Sequence, residues 1–156
     1  MDNNSINNID LAYSYTEEFL KDRKDEIKHL DWRLGLFLLV AGVTLCVGID
    51  LPNRHPGYWL TKTGVLLSSA ISLSMSAWGL RTNSRGRLVS PSYLMEDECF
   101  IKETPVVKAM IVNTHKKAVD ELDSLAKLKQ NYLNQAMIWL AASFLLFLIN
   151  TIFVFF

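Results

Sequence analysis

Residues 136–156 contain no charged side chain, and this run limits what the chain can fold into more than any motif does. An apolar run of about 18 or more residues is long enough to cross a hydrocarbon core roughly 30 Å thick, because a helix rises about 1.5 Å per residue. Residues 58–80 meet the same condition with Lys62, close to one end, as their single charge. Residues 34–49 are also uncharged, but the run is short, and it spans with Trp32 and Leu51 at the two interfaces and some local thinning of the bilayer. The expectation is three transmembrane helices, at 34–50, 58–80 and 136–156.

The chain is 50% hydrophobic and 21% charged, a mixture that would suit a soluble domain if the apolar residues were dispersed. Their concentration in three runs leaves only 1–33 and 81–135 for water, too split for a sizeable independent core. Lys and Arg number 16 against 16 Asp and Glu, so there is no general attraction for nucleic acid and none is expected as a partner. Cys46 falls inside the first run and Cys99 in a polar segment, which implies no disulfide framework.

Along the chain, the Asn-rich residues 1–8 read as a frayed lead-in. The polar residues ahead of the first apolar run, with no small-residue cleavage pattern behind it, argue against a cleaved signal peptide. From Thr16 the sequence favours helix, with Glu17 and Lys21, and Asp25 and His29, at the i, i+4 spacing. That helix is expected to run straight into the first span. Pro52 and Pro56 mark a tight turn, so the first two spans form an antiparallel hairpin. Residues 81–103 read as a connecting loop with at most a short helix at 93–102. Thr104 and Pro105 suit an N-cap and a first helical position, and no Gly or Pro follows. Val107, Ile111, Thr114, Ala118, Leu122, Leu125 and Tyr132 keep a three-four alternation that makes a narrow seam. One helix of about 50 residues is expected, roughly 75 Å long, packed on the amino-terminal helix or on copies of itself in neighbouring subunits.

The fold class is therefore all-α: an integral membrane protein with a cytoplasmic helix at 1–33, a transmembrane hairpin at 34–80, a cytoplasmic loop and long helix at 81–135, and a third span at 136–156. Lys21, Arg23, Lys24, Lys28 and Arg33 precede the first span, and Arg81, Arg85 and Arg87 follow the second. Lys116, Lys117, Lys127 and Lys129 precede the third, whereas the hairpin turn has only Arg54 and His55. The positive-inside rule then predicts a multi-pass protein of the inner (plasma) membrane, amino terminus cytoplasmic and carboxyl terminus outside. Trp32, Tyr58, Trp59 and Trp78 sit where interfacial aromatic belts belong.

Gly64, Ser68, Ser72 and Ser76 recur every four residues on one face of the second span, and small residues at this spacing let helix backbones approach closely in lipid. They read first as a packing face against Gly35, Gly42 and Gly48 of the first span; the sharper alternatives are a subunit interface or a hydroxyl-lined pore wall. Asn150, beside Thr151 within the third span, needs a hydrogen-bond partner there and is expected to join helices or subunits, with a role in conduction as the lesser alternative. Lys62 can snorkel outward. Arg81, Arg85 and Arg87 match a phosphate ligand or an anionic lipid headgroup, and equally the charge that sets topology. Arg23 and His29 have the spacing of paired basic residues in some RNA-cutting helical domains, a pairing common by chance in charged helices. His29, His55 and His115 lie apart with no ligand spacing around them, so no metal is expected. Glu96, Asp97 and Glu98 read as a solvated face. No phosphate loop, nucleophile elbow or CxxC is present, so no catalytic residue, enzyme activity or cofactor is expected.

A cytosolic helix, the stretch LDWRLGLFLLVAG at 30–42, a tight two-span hairpin, an Arg-containing exit and a long Lys-rich helix before a further span together resemble small bacterial membrane effectors. The layout over 16–156 is similar to that of the SLATT-type two-span effectors and of the transmembrane effectors of cyclic-pyrimidine (Pycsar-like) anti-phage systems. The resemblance implies assembly in the membrane and permeabilisation when triggered. This chain departs from it in its extra apolar span and in having no separate sensor domain. The expectation is a homo-oligomeric membrane effector or pore component, with spans two and three forming the subunit contacts, the cytoplasmic helices gating it or coupling to a membrane or cytoplasmic protein partner, and the bilayer as its first partner. Its rivals are an accessory subunit packed on a larger membrane complex, and a nucleotide or lipid sensor acting through Arg81, Arg85 and Arg87.

Overall fold

The computed structural model describes residues 3–51, 58–82 and 104–155. Every element among them is an α-helix: α1, Asn3–Ile49; α2, Tyr58–Arg81; and α3, Thr104–Phe155. Each carries a stretch long and apolar enough to cross a membrane, within Leu11–Ile49, Tyr58–Arg81 and Ile111–Phe153.

Helix α1 begins earlier than the sequence suggested. The Asn-rich segment is its first turns and not a frayed lead-in from Asn3 onward, for residues 3–8 hold neither Gly nor Pro to interrupt a helix. It then runs unbroken into the apolar stretch. At its end the Asp50 amide donates to the Val47 carbonyl at 3.2 Å, and the Lys62 ammonium of α2 donates to the Ile49 carbonyl at 2.6 Å. A cation on the last carbonyls of a helix is favourable both as a hydrogen bond and against the dipole. Helix α3 starts at Thr104, beside Pro105, and has no interruption to Phe155. The hairpin turn at 52–57, the proposed short helix at 93–102, Cys99 and the acidic patch lie outside the described residues.

The chain divides into two compact units. The first joins Met1–Lys28 to Asn83–Ala126, and its core is Leu20 of α1 against Ala118 and Leu122 of α3, with Ile27 and Val119 alongside. Arg23 of α1 reaches Asp123 of α3 at 3.4 Å and Glu26 of its own helix at 2.6 Å.

The second unit joins His29–Thr82 to Lys127–Phe156. Its polarity is inverted relative to a soluble domain. On α2, Ser69, Ser72 and Ser76 are fully buried while Leu60, Leu67 and Trp78 are 81%, 59% and 62% exposed. On α3, Asn150 and Ser143 are buried while Leu145, Ile152 and Phe153 face outward. In water this arrangement would forfeit the main driving force for folding, whereas for a span in hydrocarbon it is the expected one: large apolar groups toward lipid, small and polar ones between helices.

Candidate functional site

The second unit is held by a seam of small and polar residues. On α3, Lys129, Ala136, Ser143 and Asn150 recur every seven residues and all are buried, with Leu133 and Leu140 between them. A seven-residue repeat on an α-helix is the pattern of a left-handed coiled packing. Ala136, Ser143 and Asn150 meet α2, while Lys129 pairs with α1.

The contacts are specific. Ser69 and Ser143 share a hydrogen bond of 2.7 Å between their hydroxyls, Ser72 donates to the Ala136 carbonyl at 2.8 Å, and Ser143 also reaches the Val65 carbonyl at 3.3 Å. Nearer the far end of the unit, Thr61 donates to Asn150 Oδ1 at 3.0 Å. A Cβ on Gly64 would stand 2.7 Å from Leu146 Cδ1. One on Gly79 would stand 2.9 Å from Leu34 Cδ1 and 3.1 Å from Tyr132 Cβ. The small face of α2 thus bears largely on α3. The first span meets α2 elsewhere: a Cβ on Gly48 would lie 3.0 Å from Val65 and 3.3 Å from Leu66, while Gly42 has only Leu73, at 3.9 Å, and Gly35 nothing within 4 Å. Of the expected face, Ser68 bonds its own helix, to the Gly64 carbonyl at 2.6 Å, and the Ser76 hydroxyl is buried without a partner among the described residues.

Lys129 pairs with Asp31 of α1. Its side chain is 3% exposed and that of Asp31 39%, so the ammonium is the group taken out of water. Neither Lys129 nor Asp31, Thr61 or Ser143 stood out in the sequence as a site residue. The signal was there for Ser143, which stands midway between Ala136 and Asn150 on the seven-residue repeat.

Arg81 is exposed in the last turn of α2; Arg85 and Arg87 lie outside the described residues. In the first unit, an open hollow of about 650 Å³ is lined by Tyr13, Glu17, Lys21, Lys24 and His115 among others, with the Tyr13 and His115 rings 6.0 Å apart. The hydrogen bond to Glu26 raises the Arg23 guanidinium above its ordinary value, against an opposing effect of burial and with the charges of Glu26 and Asp123 adding to it. In the second unit an apolar groove of about 360 Å³ opens outward between α1 and α3, lined by Leu39, Val40, Val43, Val47, Phe144 and Phe147 together with Thr44. The Thr44 hydroxyl is internally satisfied by the Val40 carbonyl at 2.8 Å.

No family model, no curated protein and no solved structure matches the chain.

Proposed function

We propose that the chain is a multi-pass protein of the inner membrane that assembles with copies of itself and serves as an effector or pore component of a bacterial defence or stress system. The amino terminus and residues 81–135 then lie in the cytoplasm and the carboxyl terminus outside, as the positive charges require. The observation that carries the assembly reading is the outward apolar groove between α1 and α3. On another side of α1, Gly42 has only Leu73 of α2 at 3.9 Å and Gly35 has nothing within 4 Å. Small residues left open on a span permit the close backbone approach by which helices associate in lipid. The seam of Gly64, Ser72, Ser69, Ser143 and Asn150 is occupied within one chain, which favours α1 and α3 over the serine face as the subunit contact.

The experiment is native mass spectrometry of the protein in mild detergent, paired with membrane potential during induced expression. A single closed homo-oligomer that depolarises the membrane supports the reading, and Gly35→Leu or Gly42→Leu should break it apart. A monomer, or a stoichiometric complex with an unrelated membrane protein, replaces it with the accessory-subunit reading. The sensor reading through Arg81, Arg85 and Arg87 predicts phosphate-ligand binding lost on their replacement by Ala.

A further inference from the structure

Hydroxyls of the second unit take partners of two kinds. Thr44, Ser68, Ser74 and Thr151 donate back to the carbonyl four residues earlier in their own helix, at 2.8, 2.6, 2.8 and 2.9 Å. Ser69, Ser72 and Ser143 reach across to a neighbouring helix, as does Thr61, whose hydroxyl also lies 3.0 Å from the Tyr58 carbonyl of its own helix. Ser76 does neither, although it is fully buried. A hydroxyl removed from water without a replacement bond is unfavourable in any apolar interior, and one that persists there calls for a partner.

Its position identifies that partner. Helix α2 touches α3 one turn earlier, where Ser72 donates to the Ala136 carbonyl, and again at Gly79, which lies against Tyr132. The two helices are antiparallel, since Thr61 meets Asn150, Ser69 meets Ser143 and Ser72 meets Ala136. One turn forward on α2, from Ser72 to Ser76, is therefore one turn back on α3, from Ala136 to Tyr132. A helical carbonyl keeps a second lone pair after accepting its own amide, and the Ser72 hydroxyl can still accept after donating. Ser72, Ser76 and Ala136 are all small, so the polar atoms at this level are not screened by bulky side chains.

We propose that Ser76 seats an internal water molecule, held between its own hydroxyl, the Tyr132 carbonyl and the Ser72 hydroxyl. Three polar partners are what such a water ordinarily takes. The contact between α2 and α3 is thereby wet at this turn and dry at Gly64 and Gly79, where an added Cβ would already collide. The site is a property of the folded chain and stands whether or not the protein assembles or permeabilises a membrane.

Radiolytic hydroxyl labelling of the full chain in detergent tests it, because an ordered internal water generates radicals that mark side chains closed to bulk solvent. Leu133, next to the Tyr132 carbonyl and 6% exposed, should be labelled in the parent protein and lose that labelling in Ser76→Ala, which should also unfold at a lower temperature. Ser74→Ala, which removes an exposed hydroxyl bonded to its own helix, should leave both readings unchanged. Absence of Leu133 labelling in the parent protein overturns the proposal, and so does labelling that survives in Ser76→Ala. An unchanged or raised unfolding temperature in Ser76→Ala likewise overturns it, by showing that Ser76 bonds its own helix or nothing.

Discussion

Lys129 of α3 gives its ammonium to Asp31 of α1, and of the two it is the lysine that has lost its water, with 3% of its side chain exposed against 39% for the aspartate. The asymmetry decides which substitution does harm. Asp31→Asn leaves a desolvated charge without its counter-charge, and removing one partner of a fully buried pair costs about 3–5 kcal/mol; with Asp31 partly in water we expect about 2 kcal/mol. Lys129→Met removes the charge along with the need for it and should cost less than Asp31→Asn. The double variant should recover most of the loss. Thermal unfolding in detergent of the three variants checks this, and an Asp31→Asn protein as stable as the parent would show that Lys129 finds water or another acceptor.

The glycines of α2 are predicted to differ in how replaceable they are. An Ala at Gly64 meets only the end of the Leu146 side chain, which can turn away. One at Gly79 meets Leu34 and the Cβ of Tyr132 at once, and a Cβ moves only with its backbone. Gly64→Ala should be close to neutral, as the helix propensity gained offsets the adjustment. Gly79→Ala should cost about 1–3 kcal/mol, the range for overpacking. Gly35→Ala, with nothing within 4 Å, should stabilise the monomer by up to about 1 kcal/mol. Unfolding midpoints in this order support the packing described; an equal response at Gly64 and Gly79 contradicts it.

The three helices were legible because charge-free runs of this length have few alternatives, and because nothing after Pro105 breaks a helix. The seam was legible only as far as its apolar members. Ala118, Leu122 and Leu125 follow from spacing, but Lys129 is buried with them, and a lysine in that place reads as a topology charge until Asp31 is found beside it. The small face of α2 was visible in the sequence, yet its neighbour was not: Gly35, Gly42 and Gly48 of α1 are as small as anything on α3, and which helix takes the face depends on the packing of Leu146 and Tyr132. Lys62 illustrates the same limit, since its reach to the Ile49 carbonyl depends on how the hairpin closes.

In the first unit, Leu122 is the largest of the buried side chains that α3 contributes to the core with Leu20. Leu122→Ala should cost about 2–4 kcal/mol locally, the range for an aliphatic truncation in a core. The Arg23 and Asp123 pair beside it, each about 30% exposed, should contribute under about 1 kcal/mol. Hydrogen exchange along Ile111–Phe153 should therefore accelerate over residues 111–126 in Leu122→Ala and little in Asp123→Ala. Equal protection in the two variants would mean that the charge pair, and not the apolar contact, holds this unit.

Asn150 separates folding from assembly. Its Oδ1 accepts from Thr61 within the same chain, so Asn150→Leu should first weaken the packing of α3 on α2 and only secondarily any oligomer. A cycle of Thr61→Val, Asn150→Leu and the double variant should give a coupling of about 0.6 kcal/mol and no more than about 1.7, the range for hydrogen bonds between membrane helices. The modest size follows from the reference state, in which a separated span still finds partners for its polar groups. Strictly additive effects would show that Asn150 owes its burial to other contacts. Loss of the oligomer in Asn150→Leu with an unchanged monomer unfolding midpoint would instead make this amide a contact between subunits, and would move the subunit interface from the α1–α3 groove to the far end of the α2–α3 seam.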